Sequence, residues 1–130
     1  MCPRLADVPI SLNGMSPIRL LINILYAIFL IAGGLVTLPV GSGGGVPDVV
    51  LHGSAHGLQA ALLYWLFAPT MRPRGAVVAA VCCATLFGAM VEFLQLFQPM
   101  REVELKDVFA NTAGACVVGM VIDLARRSRS

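Results

Sequence analysis

The sequence predicts an all-α protein, a polytopic membrane bundle of four transmembrane helices with its N- and C-termini in the cytoplasm. Three observations predict it. The 130 residues are 58% hydrophobic and 12% charged, where a soluble domain carries about a quarter charged residues. With a mean hydropathy of +0.84, too little polar material remains to cover a water-soluble core. The apolar residues fall into four long runs separated by short turns of Gly, Pro and charge, and the basic residues are concentrated in alternate turns, as the positive-inside rule requires.

Residues 1–17 hold Pro3, Pro9 and Pro17 with Asn13-Gly14 and show no periodicity; they read as a short cytoplasmic arm. Residues 18–126 form one transmembrane domain with spans at about 20–40, 48–69, 76–97 and 107–125, and residues 127–130 close it as a basic tail. Arg19 opens the first span, whose roughly 20 apolar residues match the length a bilayer core requires of a helix. The rival reading is a cleaved signal peptide. The run exceeds an h-region of roughly 7–15 residues and no clear A-x-A site follows, so the span is expected to be retained.

The Gly- and Pro-rich turn at 41–47 leads to the least hydrophobic span. Its first half carries Asp48, His52, His56 and Gln59, and its second half is apolar except for the tip of Tyr64. By hydropathy alone it could be re-entrant. Its length permits a full crossing provided that the polar half faces protein rather than lipid. A turn with Arg72 and Arg74 precedes the third span, and the turn at 99–106 carries Arg101 and Lys106 before the fourth. With four crossings, Arg4, Arg19, Arg72, Arg74, Arg126, Arg127 and Arg129 share the cytoplasmic side, while Arg101 and Lys106 face outward. Cys82, Cys83 and Cys116 lie inside apolar runs without metal-type spacing and are expected as small buried hydrophobes.

Three spans carry small or polar residues at every fourth position: Asp48, His52, His56, Ala60 and Tyr64; Ala76, Ala80, Ala84, Gly88 and Glu92; Asp107, Asn111, Ala115, Gly119 and Asp123. Such a series is a slowly turning ridge, drifting about 40° per step at 3.6 residues per turn, and small ridges let membrane helices approach closely. Spans two, three and four are expected to meet along them. The first offers only Gly33-Gly34 and is expected at the periphery. Given the topology, Asp48, His52, His56, Glu92, Gln95, Arg101, Asp107 and Asn111 converge near the outer face.

These residues also carry a resemblance. Asp48 and His52, then Glu92-x-x-Gln95, then Arg101 in the following turn, then Asp107-x-x-x-Asn111-x-x-Gly114, stand in the order and spacing of the VanZ-like family of small bacterial membrane proteins. The resemblance covers about residues 47–119. Val49 stands where that family often has Lys, and His56 where it often has Tyr. The resemblance implies the bundle fold, a bacterial cytoplasmic-membrane location and a link to resistance against the glycopeptide teicoplanin. It implies no particular reaction.

Ionisable groups inside apolar spans need a reason. Glu92 is read as a general acid/base with His52 beside it, against the plainer reading of a structural carboxylate paired with Arg101 or hydrogen-bonded to Asn111 or Gln95. Asp48, His56, Gln95, Arg101, Asp107 and Asn111 are read as ligand-binding, Arg101 being suited to a phosphate of a lipid headgroup or lipid-linked precursor. His52 and His56 stand at the four-residue spacing of paired metal ligands, with Glu92 and Asp107 near enough in the topology to complete a set. They are read instead as interfacial imidazoles, and no metal or cofactor is expected. Asp123 is expected near Arg126 and Arg127.

No phosphate-binding glycine loop, no Ser-His-Asp order and no haem or iron–sulfur spacing is present. The basic tail is too short for nucleic acid and suits the inner leaflet. The expected partners are membrane lipids or lipid-linked envelope precursors, and a second copy of the chain. Three functions follow: a binder or modifier of an envelope component at the outer face, a transporter-like element, or a structural subunit of a membrane complex.

Overall fold

The computed structural model describes residues 14–35, 48–98 and 105–129. They build four α-helices: α1 (Pro17–Leu35), α2 (Asp48–Phe67), α3 (Pro73–Gln95) and α4 (Leu105–Arg127). No strand occurs among the described residues. Helices α1, α3 and α4 are long and apolar enough to cross a membrane. Helix α2 has 20 residues, about 30 Å of rise, but its histidines and Gln59 hold its hydropathy down. Two helices start earlier than their apolar runs because a proline opens them. Pro17 and Pro73 occupy the first turns of α1 and α3, where the missing N–H leaves no hydrogen bond unmade.

The packing is inverted relative to a soluble bundle. The centre is made of Ala60, Ala84 and Ala115, one from each of α2, α3 and α4, with Leu63 and Val81 packed on them. His56, Gln59, Glu92, Gln95, Asp107 and Asn111 are buried, whereas Leu86, Phe97, Phe109 and most of the large side chains of α1 point outward. An apolar exterior of that extent needs lipid to cover it, and small interior residues are how helices associate when lipid removes the hydrophobic drive between them. The chain is a membrane protein.

All five small or acidic ridge residues of α3, from Ala76 to Glu92, are buried. So are Asp107, Asn111, Ala115 and Gly119 of α4. The closest approach is between α2 and α4, where a methyl group on Gly114 would run into the Gly53 carbonyl. A methyl on Gly57 would come within 3.0 Å of Val118 and 3.2 Å of the Gly114 carbonyl. Gly53 and Gly57 form a G-x-x-x-G step, the spacing that brings helix backbones together in lipid.

Helix α1 contacts α2 and α3 and does not reach α4; Leu30 is its one buried residue. It is held by side chains reaching to backbone. Arg19 donates to the Trp65 carbonyl at 2.8 Å, Asn23 to Leu62 at 3.1 Å and Tyr26 to Ala55 at 2.9 Å. The Trp65 carbonyl is available for a chemical reason: its intrahelical donor would be residue 69, and Pro69 has no N–H. Arg19 also stacks on the Trp65 ring, 4.8 Å from its centroid.

One expectation is corrected. Cys82, Cys83 and Cys116 are free thiols on the outside of the bundle, because the four-residue ridges of α3 and α4 turn Ala84 and Ala115 inward and leave their neighbours facing out. The first helix, although peripheral, supplies a wall of the cleft described next. Asp123 sits 3.1 Å from Arg126 and 2.6 Å from Arg127, as its position near the basic tail led one to expect.

Candidate functional site

The antiparallel order of the helices brings the end of α1, the start of α2, the end of α3 and the start of α4 to one end of the bundle. His52 is central there. Its Nδ1 lies 3.6 Å from Glu92 Oε1 on α3, and its Nε2 lies 3.6 Å from Asp48 Oδ1 one turn earlier on α2. Glu92 is 2% exposed, while the Asp48 side chain is 61% exposed. Asp107 of α4 completes a cluster: one ligand atom each from Asp48, His52 and Asp107 lie within 4.8 Å of one another.

A cleft of about 320 Å³ opens beside this cluster. Asp48, His52, His56, Glu92 and Gln95 line it from α2 and α3, and Phe29, Leu30, Gly33 and Gly34 wall it from α1. Gln95 donates to the Gly34 carbonyl at 2.9 Å, and Gln98 to the Leu35 carbonyl at 2.8 Å. Both carbonyls belong to the last described turn of α1. Gly34 is required by shape, since a methyl there would come within 2.8 Å of Val91 and 3.0 Å of the Gln95 amide.

His56 does not join His52 in a ligand pair. Its Nδ1 hydrogen-bonds Gln59 Oε1 at 2.9 Å, and the ring is 4% exposed. Gly88 makes room for it: a methyl there would meet His56 Cε1 and Asn111 Cβ, each at 3.1 Å. Asn111 is 1% exposed, and neither its amide nitrogen nor its oxygen has a hydrogen-bond partner among the described residues. Asp107 and Asn111 lie outside the cleft lining, on the α4 side of the same helix end. The expected polar set therefore divides into a cleft group on α2 and α3 and a buried pair on α4, joined through His52. Arg101, with Glu102 and Glu104, lies outside the described residues.

Chemically, an imidazole flanked by one buried and one exposed carboxylate can pass a proton between the bundle interior and its surface. A buried carboxylate on the cleft wall is placed for acid/base work on a bound group. Sequence reasoning missed Asn23, Tyr26 and Gln98, and it missed the steric roles of Gly53 and Gly57. A signal for α1 was present in the spacing of Arg19, Asn23, Tyr26, Leu30 and Gly34, steps of three and four that put them on one helix face. The signal for α2 was the G-x-x-x-G step.

The family model described as VanZ/LLP1 matches residues 27–126, which include every described residue of this site. No curated protein and no solved structure matches the chain.

Proposed function

The chain belongs to the VanZ/LLP1 family, and from that premise we propose that it is a multi-pass protein of the bacterial cytoplasmic membrane whose polar helix end binds or modifies a cell-envelope component from outside. The observation that carries this reading is the contact of His52 with both Asp48 and buried Glu92 beside a cleft of about 320 Å³. Ionisable groups at membrane depth are costly and cluster where function requires them. Helix α2 crosses the membrane in this reading, its histidines and Gln59 shielded by α3 and α4.

The polar end faces outward because Arg19, Arg72, Arg74, Arg126 and Arg127 all fall at the other end, which leaves both termini in the cytoplasm. Glu92 serves as acid/base and His52 as its proton partner. Gln95 and Asp48 orient the ligand, and Arg101 holds a phosphate of a lipid headgroup or lipid-linked precursor. The family's link to glycopeptide resistance makes cell-wall precursors the first ligands to test.

The test is teicoplanin susceptibility in a bacterial host lacking its own protein of this kind, comparing the wild type with Glu92→Ala and Arg101→Ala at matched membrane levels. The expected result is a shift with the wild type alone. An equal shift with all three would reassign the effect to helix-mediated association, as in an accessory subunit. No shift with any would remove the resistance link.

A further inference from the structure

The cluster formed by Asp48, His52 and Asp107 is more than a polar neighbourhood. We propose that these three side chains bind a divalent transition-metal cation, with Zn²⁺ as its reference ion, at the junction of α2 and α4. The cation concerns the same end of the bundle as the envelope-ligand reading and rests on its own geometry.

Three observations carry it. First, the Asp48 Oδ1 to His52 Nε2 distance is 3.6 Å, too long for a hydrogen bond. It is close to the separation of about 3.3 Å that two ligands 2.0–2.1 Å from a tetrahedral Zn²⁺ would have. The third ligand atom, from Asp107, lies within 4.8 Å of both, so closure around an ion takes side-chain adjustments of about 1 Å, and Asp48 is exposed and free to make them. Second, Asp107 is 8% exposed and its Oδ1 has no hydrogen-bond partner among the described residues. A carboxylate in that position needs compensation, and a dication supplies it while also neutralising Asp48.

Third, the two nitrogens of His52 are already divided by role. Nε2 faces the cluster and Nδ1 faces Glu92 Oε1 at 3.6 Å. A ligating histidine typically presents its other ring N–H to a carboxylate, which fixes the tautomer and aims the ring. Glu92 stands on that side at 3.6 Å and would accept the N–H after a shift of about half an ångström, as a positioning residue rather than a ligand. One nitrogen and two carboxylate ligands, with no thiolate, suit Zn²⁺, Mn²⁺ or Fe²⁺. Three protein ligands leave a coordination position open on the side of exposed Asp48, where an oxygen of an incoming group can bind. His56, four residues along and sharing the helix face, is not one of the three whose ligand atoms lie together.

The experiment uses the purified, untagged full-length protein in detergent micelles, stripped with chelator and re-equilibrated with Zn²⁺. Bound metal is counted by inductively coupled plasma mass spectrometry, and Co²⁺ substitution is followed by its visible ligand-field bands. The wild type and Asp123→Asn, which alters the opposite end, are expected to hold about one ion per chain. Asp107→Asn and His52→Gln are expected to lose it while keeping the wild-type helical circular dichroism. Glu92→Gln is expected to weaken Zn²⁺ about 10–100-fold, the usual cost of removing a supporting carboxylate. A wild type without stoichiometric metal overturns the proposal whatever the variants do. So does metal that survives Asp107→Asn and His52→Gln together, which would place it elsewhere in the chain. Either failure leaves the envelope-ligand reading standing, since that one is decided by susceptibility in cells.

Discussion

Helix α2 has two neighbours that it meets in opposite ways. Against α4 it packs by shape: Gly53, Gly57 and Gly114 bring the two backbones into contact, and no side-chain hydrogen bond is needed along the seam. Against α1 it is held by direction: Arg19, Asn23 and Tyr26 each donate to an α2 carbonyl, while the outer face of α1 goes to lipid. Lipid tails are as apolar as leucine, so association rests on close packing and on interhelical hydrogen bonds. This bundle uses one for its centre and the other for its edge. The packed seam has steep steric tolerance, and the bonded edge has a shallow, additive one.

The sharpest way to break the contrast is Gly114→Val. Its branched side chain would meet the Gly53 backbone, which cannot rotate away, and the expected destabilisation is about 3 kcal/mol or more, read as equilibrium unfolding in mixed micelles. Gly34→Leu comes next. It collides with the ends of Val91 and Gln95, which can move, so about 1–3 kcal/mol is expected, together with loss of the Gln95 bond and detachment of α1. Crosslinking between cysteines placed on α1 and α3 would follow the detachment. Asn23→Ala removes one interhelical bond and should cost only about 0.6 kcal/mol, the average measured for such bonds in lipid. Gly33→Ala is the control. A methyl there meets nothing within 4 Å, and stability should stay level or rise. If Gly33→Ala and Gly34→Leu prove equally harmful, α1 is not docked as described.

The same contrast explains what could be read in advance. The centre was legible because shape-based packing leaves a compositional trace: Ala80, Ala84, Gly88 and Ala115, Gly119 recur at four-residue steps, and the structure buries all of them. The edge was legible only on its donor side, because a side chain that donates to a backbone carbonyl needs no particular residue opposite it. Nothing in Leu62 or Ala55 announces an acceptor. The polar end was legible as a neighbourhood but not as a connectivity. Four-residue spacing placed His52 and His56 on one face, yet His56 turns to Gln59 three residues on, and the neighbour His52 gains from α4 depends on the α2–α4 register. That register is set by Gly53 and Gly114, which no periodicity links. The outward cysteines have the same origin: within an apolar run, only the helix phase decides which residues meet lipid.

The absence of contact between α1 and α4 bears on how the protein is made. α1 leaves the ribosome before the other three described helices, and the partners for its two ends arrive at different times. Arg19, Asn23 and Tyr26 find their acceptors as soon as α2 has entered the membrane, so the first hairpin can be latched while the rest of the chain is still being synthesised. The bonds that Gln95 and Gln98 donate to Gly34 and Leu35 form only once the far end of α3 has arrived. The cleft between them is therefore a late product of biogenesis, closed on its α1 side only after the third helix is in place.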